Sequence, residues 1–287
     1  ILSIIHTAKD MKKRIYNSCL RGDELKNKSV VTLFYENSTR TKMSFMLAAD
    51  YLGAKPEDLG IATSSVSKGE SLIDTGVTLD QMGINAMIIR HSFTGASHLL
   101  AKNVNASVIN AGDGSNEHPT QALLDMYSIL EEKGKIDGLN VAIIGDIANS
   151  RVARSNVFGL TKLGANVTFA GPSTLVSKNM ETLSKNVKVV NNIEEGIKDA
   201  DVIMGLRVQF ERQKKMPFPN TSEYHQIFGL KQDMLKLAKD DVTIMHPGPV
   251  NRGVELSTEV IDGKNSIINE QVKNGVAVRM AILKLLL

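Results

Sequence analysis

Four consecutive residues, Ser38-Thr39-Arg40-Thr41, place three hydroxyls and a guanidinium at a change of pattern in the chain. Before them, Val30 to Tyr35 is a short apolar, β-branched and aromatic run; after them, Phe45, Ala48, Ala49 and Leu52 recur at helical spacing up to Gly53. A strand turning into a helix at this point presents unpaired N–H groups and the positive end of the helix dipole, which together attract an anion such as phosphate. An ordinary capped helix with an exposed arginine, Ser38 or Thr39 being the cap, has the same local signature. Arg90 closes a second buried run, Ala86 to His91. The carboxyl ends of parallel strands are where ligands gather, so Arg90 is placed to reach a phosphate or a carbonyl oxygen, and His91 beside it reads as structural.

His118-Pro119-Thr120-Gln121 follows the turn Gly112-Asp113-Gly114. Pro119 suits a first helical position, and His118 and Gln121, three residues apart, share one face at the helix start. A helix N-terminus disfavours imidazolium, so His118 is expected neutral and able to donate a hydrogen bond to a carbonyl. Further on, Ser150-Arg151 opens another helical stretch. Arg207-Val208-Gln209 leads a basic run to Lys215 just after a strand, where a solvated face and a binding site are about equally expected. In His246-Pro247-Gly248-Pro249 both prolines lack an N–H, which leaves carbonyls as acceptors suited to an –NH2 group. Ser64 and Lys68 lie in a small, polar, Gly-containing stretch whose plainest reading is a solvated linker.

The elements that must hold these residues follow a βαβ rhythm. An amphipathic helix is expected over 1–21, strands at 30–35, 86–91 and 106–110, a helix from about Ser71, and an edge strand or loop at 54–59, where Pro56 and three charges intrude. A helix from Pro119 to Gly134 turns Leu123, Leu124, Tyr127 and Leu130 inward. A second series has strands at 141–144, 166–170, 187–190, 201–204 and 242–245, a helix at 151–163, and a closing helix from about Gly275. Pro217 to Phe228, with two prolines and aromatic residues, reads as a long irregular loop. The expected class is therefore α/β: two doubly wound parallel-sheet domains, 1–134 and 135–274, with an interdomain cleft and the helix 275–287 packing back on the first.

Composition narrows the function. With 42% hydrophobic and 23% charged residues the chain is a globular protein with ample core, and a net charge of +3 with both signs interspersed gives no nucleic-acid surface. No apolar run approaches the length of a membrane span. The single cysteine, Cys19, excludes an internal disulfide and a Cys-based zinc site and suits a reducing compartment. Strand 141–144 is not followed by G-x-G-x-x-G, which argues against a nicotinamide-dependent oxidoreductase on the same architecture. The chain starts without Met and inside a helical pattern, so a few residues are expected to precede Ile1, and some to follow Leu287.

Taken in order over residues 34–255, Ser-Thr-Arg-Thr, Ser64-x3-Lys68-Gly-Glu, Arg90, His-Pro-x-Gln, Ser150-Arg151-x-x-x-Ser155, Arg207-x-Gln209-x-x-Arg212 and His-Pro-Gly-Pro resemble the aspartate/ornithine carbamoyltransferases, on the aspartate side. The ornithine-specific relatives typically carry a Cys-containing motif where this chain has His246 to Pro249. The resemblance implies that Ser38, Thr39, Arg40 and Thr41 hold the phosphate of carbamoyl phosphate, while Thr41, Arg90 and His118 polarise its carbonyl. It further implies that Gln121 and the carbonyls of Pro247 and Gly248 take the amide nitrogen, and that Arg151, Arg207 and Gln209 hold the aspartate carboxylates. Lys68 and Ser64 would reach in from a neighbouring subunit of a homotrimer, and Glu36 would pair with Arg151 or Arg212 across the cleft. The implied product is N-carbamoyl-L-aspartate, for de novo pyrimidine biosynthesis in the cytoplasm, with no cofactor, no metal and no covalent intermediate. Regulatory chains are left open, as are another acceptor within the family and a catalytically dead binding subunit. Asn149 and Tyr35 depart from the family pattern at positions expected to touch none of these contacts.

Overall fold

The computed structural model describes residues 1–17, 21–61, 64–209 and 220–287. It divides into two compact units, Ile1–Leu124 with Val272–Leu287, and Asp125–Gln271. Cys19, the loop residues Ala62 and Thr63, and the segment from Phe210 to Pro219 (Arg212 and most of the basic run included) lie outside the described residues.

The first unit opens with helix α1 (Leu2–Tyr16), which buries Ile5, Ala8 and Met11 on one side. It ends earlier than expected, at the cap Asn17, whose N–H closes on the Lys13 carbonyl. Strands β1 (Ser29–Phe34), β2 (Lys55–Leu59), β3 (Ala86–His91) and β4 (Ser107–Asp113) form a parallel sheet in the order β2-β1-β3-β4. β2 is an edge strand, the position where Pro56 costs no ladder bond on its open side. β4 runs three residues beyond the expected Asn110, and between Ile89 and His91 its register slips against β3. Helices α2 (Thr39–Tyr51), α3 (Leu72–Gln81) and α4 (Ala96–Ala101) connect these strands. Val31, Leu33, Met87, Ile89 and Leu100 form one buried cluster, each such side chain contributing about 1.5–3 kcal/mol over leaving it exposed.

Helix α5 (Pro119–Lys133) is buried almost all round; Leu124 and Tyr127 are fully inside, whereas Leu123 and Leu130 are only partly so. The second unit holds a five-stranded parallel sheet in the order β7-β6-β5-β8-β9, from β5 (Asn140–Gly145), β6 (Asn166–Ala170), β7 (Val187–Val190), β8 (Val202–Leu206) and β9 (Thr243–Met245). Its helices are α6 (Arg151–Lys162), α7 (Ile193–Ile197), α8 (Thr221–Phe228) and α9 (Thr258–Ile261). α8 corrects the expectation of an irregular loop up to Phe228. Asn220 caps it by accepting from the Glu223 N–H at 2.8 Å, and Tyr224 stacks on Phe228 one turn later, burying its ring beside Leu175 and Val208. The last helix, α10 (Ile268–Leu286), begins seven residues before Gly275 (275 − 268). In the first unit it places the Arg279 guanidinium 5.1 Å from the centre of the Phe45 ring, and its Leu286 carbonyl accepts from Ser107 Oγ at 3.2 Å.

Strand order reverses between β1 and β3 in one sheet and between β5 and β8 in the other, and it is outside the strand ends at such reversals that α/β folds bind ligands. At the second reversal Gly145 pairs with Leu206 at φ +117, and a Cβ there would stand 2.5 Å from the Leu206 carbonyl oxygen. Gly145→Ala is therefore expected to destabilise the protein by about 2 kcal/mol or more, read as a lowered urea midpoint. An unchanged midpoint would contradict this account of the β5–β8 junction.

Candidate active site

At the first reversal Phe34 and Arg90 are register partners, and the Tyr35 N–H donates to the Arg90 carbonyl at 2.9 Å. Opposite Arg90 on the other side, the slip in β4 sets two residues against one, a bulge that turns the strand end. The Arg90 side chain is held by two contacts, its Nη1 donating to Ser38 Oγ at 3.1 Å and its Nε to Glu36 Oε2 at 3.3 Å. Ser38 occupies the N-cap position of α2 with extended backbone, but its hydroxyl makes no capping bond. The serine thus serves Arg90, and the helix start is not closed by its own cap. Thr39 and Arg40 are exposed on that first turn while Thr41 is buried beneath them. Glu36 pairs with Arg90 inside its own unit; Arg212, one partner expected for it, lies outside the described residues.

His91 is structural, packed between Tyr35 (ring centres 4.6 Å apart) and Phe93 (5.1 Å), with its Nδ1 accepting from the Phe93 N–H at 3.0 Å. Burial pushes its pKa down, partly opposed by the nearby Glu36 charge, so the ring is neutral at ordinary pH.

His118 and Gln121 stand at the start of α5, both buried, with the Gln121 N–H closing on the His118 carbonyl at 3.0 Å. The turn that delivers them is built on Asp113, which the sequence did not single out. Its carboxylate accepts from Asn110 Nδ2 at 2.8 Å, Gly95 N–H at 2.8 Å, Asn116 Nδ2 at 3.0 Å and Glu117 N–H at 3.1 Å, the last being the residue before His118. Burial alone would raise this carboxyl's pKa, but the four donors outweigh it and hold it below the ordinary carboxylate value.

Ser64 and Lys68 bound a single 3-10 turn. The Ser64 hydroxyl is used within the turn, donating to the Ile61 carbonyl at 2.9 Å and accepting from the Val66 N–H at 3.4 Å, and Lys68 is exposed.

In the second unit Arg151 is buried at the head of α6, where Ser150 caps the helix by accepting from the Ala153 N–H at 3.2 Å. Past the end of β8, Val208 is fully buried with Leu175 and Tyr224, whereas Arg207 and Gln209 on either side are partly exposed. The burial of Val208 alone among the three leaves its two neighbours partly open to solvent. Asp146 directly follows β5. It accepts from the Gln209 N–H at 3.1 Å and from both the N–H and Nδ2 of Asn149, at 3.2 and 2.9 Å, while Gln209 Nε2 donates to the Asn149 carbonyl at 3.0 Å. Asn149 and Tyr35 therefore do touch predicted site residues, Gln209 and Arg90 respectively, contrary to expectation. After β9, the Gly248 N–H turns back onto His246 Nδ1 at 2.8 Å, ordering the loop that carries Pro247 and Gly248.

Each unit is thus a doubly wound sheet with cationic and hydrogen-bonding side chains gathered at its topological switch point, the layout of a two-domain enzyme for small anionic substrates. Residues 1–131 match the model of the aspartate/ornithine carbamoyltransferase carbamoyl-P binding domain and residues 137–286 that of the Asp/Orn binding domain, so the chain belongs to the aspartate/ornithine carbamoyltransferase family. It is 60% identical over 283 residues to the aspartate carbamoyltransferase catalytic subunit of Acetivibrio thermocellus, covering 99% of this chain and 90% of that one. To the corresponding subunit of Caldanaerobacter subterraneus it is 55% identical over 290 residues, covering 100% and 93%. Among solved structures it resembles aspartate transcarbamoylase from Trypanosoma cruzi in complex with N-(phosphonacetyl)-L-aspartic acid (TM-score 0.87, 29% identity, covering 99% and 90%). It resembles ornithine carbamoyltransferase from Pyrococcus furiosus as closely (TM-score 0.87, 31% identity, covering 98% and 91%).

A lowered carboxylate pKa stabilises the fold above the unfolded value, near pH 4, and that stability is lost as pH falls toward the folded value. Asp113→Asn, which turns an amide toward donors, is expected to cost about 2 kcal/mol at neutral pH. The difference from the unmodified protein should shrink on acidification through about pH 4. Urea midpoints at the two pH values check this, and a gap that widens in acid would refute it.

Proposed function

We propose that the chain transfers the carbamoyl group of carbamoyl phosphate to the amine of L-aspartate, giving N-carbamoyl-L-aspartate and phosphate, a step of de novo pyrimidine biosynthesis. The observation that carries the choice of acceptor is the partly exposed pair Arg207 and Gln209 on either side of buried Val208 past the end of β8, with Arg151 at the neighbouring helix head. An acceptor with two carboxylates needs cations there; a diamine such as ornithine would need acids.

In the first unit, the carbamoyl-phosphate domain, Ser38, Thr39, Arg40 and Thr41 take the phosphate at the start of α2. Arg90, braced by Ser38 and Glu36, spans phosphate and carbonyl. Thr41, Arg90 and His118 direct donors at the carbonyl oxygen, which becomes the oxyanion when the aspartate amine attacks carbon. Gln121 and the carbonyls of Pro247 and Gly248 receive the –NH2 group. The new C–N bond forms, the amine passes a proton to the phosphate oxygens, and the tetrahedral intermediate expels phosphate as the C–O bond breaks. Positioning and charge stabilisation supply the catalysis, and no covalent enzyme intermediate, metal or cofactor is needed. In the second unit, the aspartate domain, Arg151, Arg207 and Gln209 hold the acceptor's carboxylates.

The working form is a homotrimer in the cytoplasm, with Ser64 and Lys68 completing a neighbour's site. The exposure of Lys68, and of the apolar side chains Met43, Phe93 and Leu99 on the same unit, supports a surface met by another copy. The relatives' designation as catalytic subunits supports association with regulatory chains. Among the described residues no helix is long and apolar enough to cross a membrane.

Phosphate release from carbamoyl phosphate, measured with L-aspartate and L-ornithine in parallel, tests the proposal: release is expected with aspartate alone. Release with ornithine alone would overturn the acceptor assignment, and release with neither would overturn the activity. Arg207→Ala is expected to raise the KM for aspartate by about 10-fold or more while leaving that for carbamoyl phosphate nearly unchanged. Steady-state kinetics in each substrate would expose a mistaken role if the aspartate dependence did not move.

A further inference from the structure

Three successive peptide nitrogens follow His246, and none offers a free proton. Pro247 and Pro249 have no N–H. The Gly248 N–H, with the backbone at φ +67, donates to His246 Nδ1 at 2.8 Å. A backbone N–H can only donate, so Nδ1 is the acceptor, and the neutral ring carries its proton on Nε2. Nε2 then donates to Glu255 Oε1 at 3.2 Å, and the same oxygen accepts the Asn251 N–H at 2.7 Å, closing the loop on itself. His246 and Glu255 are each 1% exposed.

The backbone that carries the ring is also fixed from behind, through its own N–H. The His246 N–H donates to Gln271 Oε1 at 2.9 Å, Gln271 Nε2 donates to Asp125 Oδ1 at 2.8 Å, and Asp125 Oδ2 accepts from Asn156 Nδ2 of α6 at 2.8 Å. Asp125, Asn156 and Gln271 are buried as well. Few buried hydrogen bonds can change without leaving another group unpaired, so the main chain at His246 is held in place while Gly248 and Glu255 set the tautomer of its ring.

The geometry points to His246 as a positioning residue that sets donor selectivity. By absorbing the one N–H of the 247–249 segment it makes that segment acceptor-only, so the site takes an acyl group bearing –NH2 and discriminates against one bearing –CH3. This rests on the carbamoyl-transfer proposal above. Were the acceptor lost, the Gly248 N–H would be left to seek another partner, and the loop would present a donor where the substrate amide also donates. Sites built to pair a substrate N–H reject the analogue lacking it far more strongly than apolar pockets reject a missing methylene.

Acetyl phosphate, with –CH3 in place of –NH2, is the probe. The readout is the ratio of its inhibition constant to the KM of carbamoyl phosphate, with aspartate saturating. His246→Ala and His246→Gln are expected to lower this ratio by about 10-fold or more, through a raised KM for carbamoyl phosphate and a smaller change in kcat. His246→Asn, whose Oδ1 can take the place of Nδ1 as acceptor for Gly248, is expected to keep a ratio close to that of the unmodified protein. A loss of affinity shared equally by both acyl phosphates, or no rescue by asparagine, would overturn the inference. No turnover by the unmodified protein would instead overturn the carbamoyl-transfer proposal. If the variants fail to fold, 15N spectra of the histidines in the unmodified protein decide the matter. Nδ1 of His246 should resonate as an unprotonated nitrogen and Nε2 as a protonated one, and the reverse would refute the assignment.

Discussion

A carboxylate taken out of water must be met by donors or it costs several kcal/mol, and both binding surfaces of this protein are organised around that demand. Asp113 at the end of β4 gathers four donors from Gly95, Asn110, Asn116 and Glu117, and so fixes the turn that presents His118. Asp146 at the end of β5 gathers Asn149 and Gln209, tying the approach to α6 to the segment that carries Arg207. Glu255 and Asp125 do the same for the loop after β9. None of these acids is assigned to a substrate. Each converts loops that would otherwise be soft into parts of the sheet's rigid edge, which is what preorganised hydrogen-bond donors and acceptors require.

This division explains what was legible in the sequence and what was not. Ser38 to Thr41, His118 with Gln121, and His246 to Pro249 announce themselves because the chemistry of each is packed into a few residues beside a strand-to-helix change. The alternation of apolar strands with helical stretches likewise gave the two parallel sheets, since buried parallel strands are apolar on both faces. The bracing acids read as ordinary turn residues, because their near partners are common turn contacts and the bonds that tie them to the site are remote: Gln209 bonds Asp146 from 63 residues away and Gly95 bonds Asp113 from 18. The contacts of Asn149 with Gln209 and of Tyr35 with Arg90 run through the backbone carbonyl of the one and the backbone N–H of the other, which residue identity does not report. The helix at 221–228 was obscured by the nearby prolines, although Asn220 and Glu223 already carried its cap.

Under the proposed assignment the two units would solve anion recognition in opposite ways, and a serine at the head of a helix marks the difference. Ser150 caps α6, satisfying the Ala153 N–H, so charge recognition there passes to side chains, Arg151 and Arg207. Ser38 makes no capping bond to α2 and is held instead by Arg90, and in the proposed reading the first turn receives the phosphate. A backbone cradle suits a phosphate, whose oxygens are the same in every substrate of the family, because main-chain geometry changes little with sequence. Side-chain recognition suits the acceptor, the part that differs between family members. The equal structural likeness to an aspartate enzyme and to an ornithine enzyme fits this arrangement, because the fold fixes where an acceptor is read and not which one. If the proposed assignment holds, the choice lies with the charges around Val208, where exchanging cations for acids would alter the acceptor without disturbing the buried anchor.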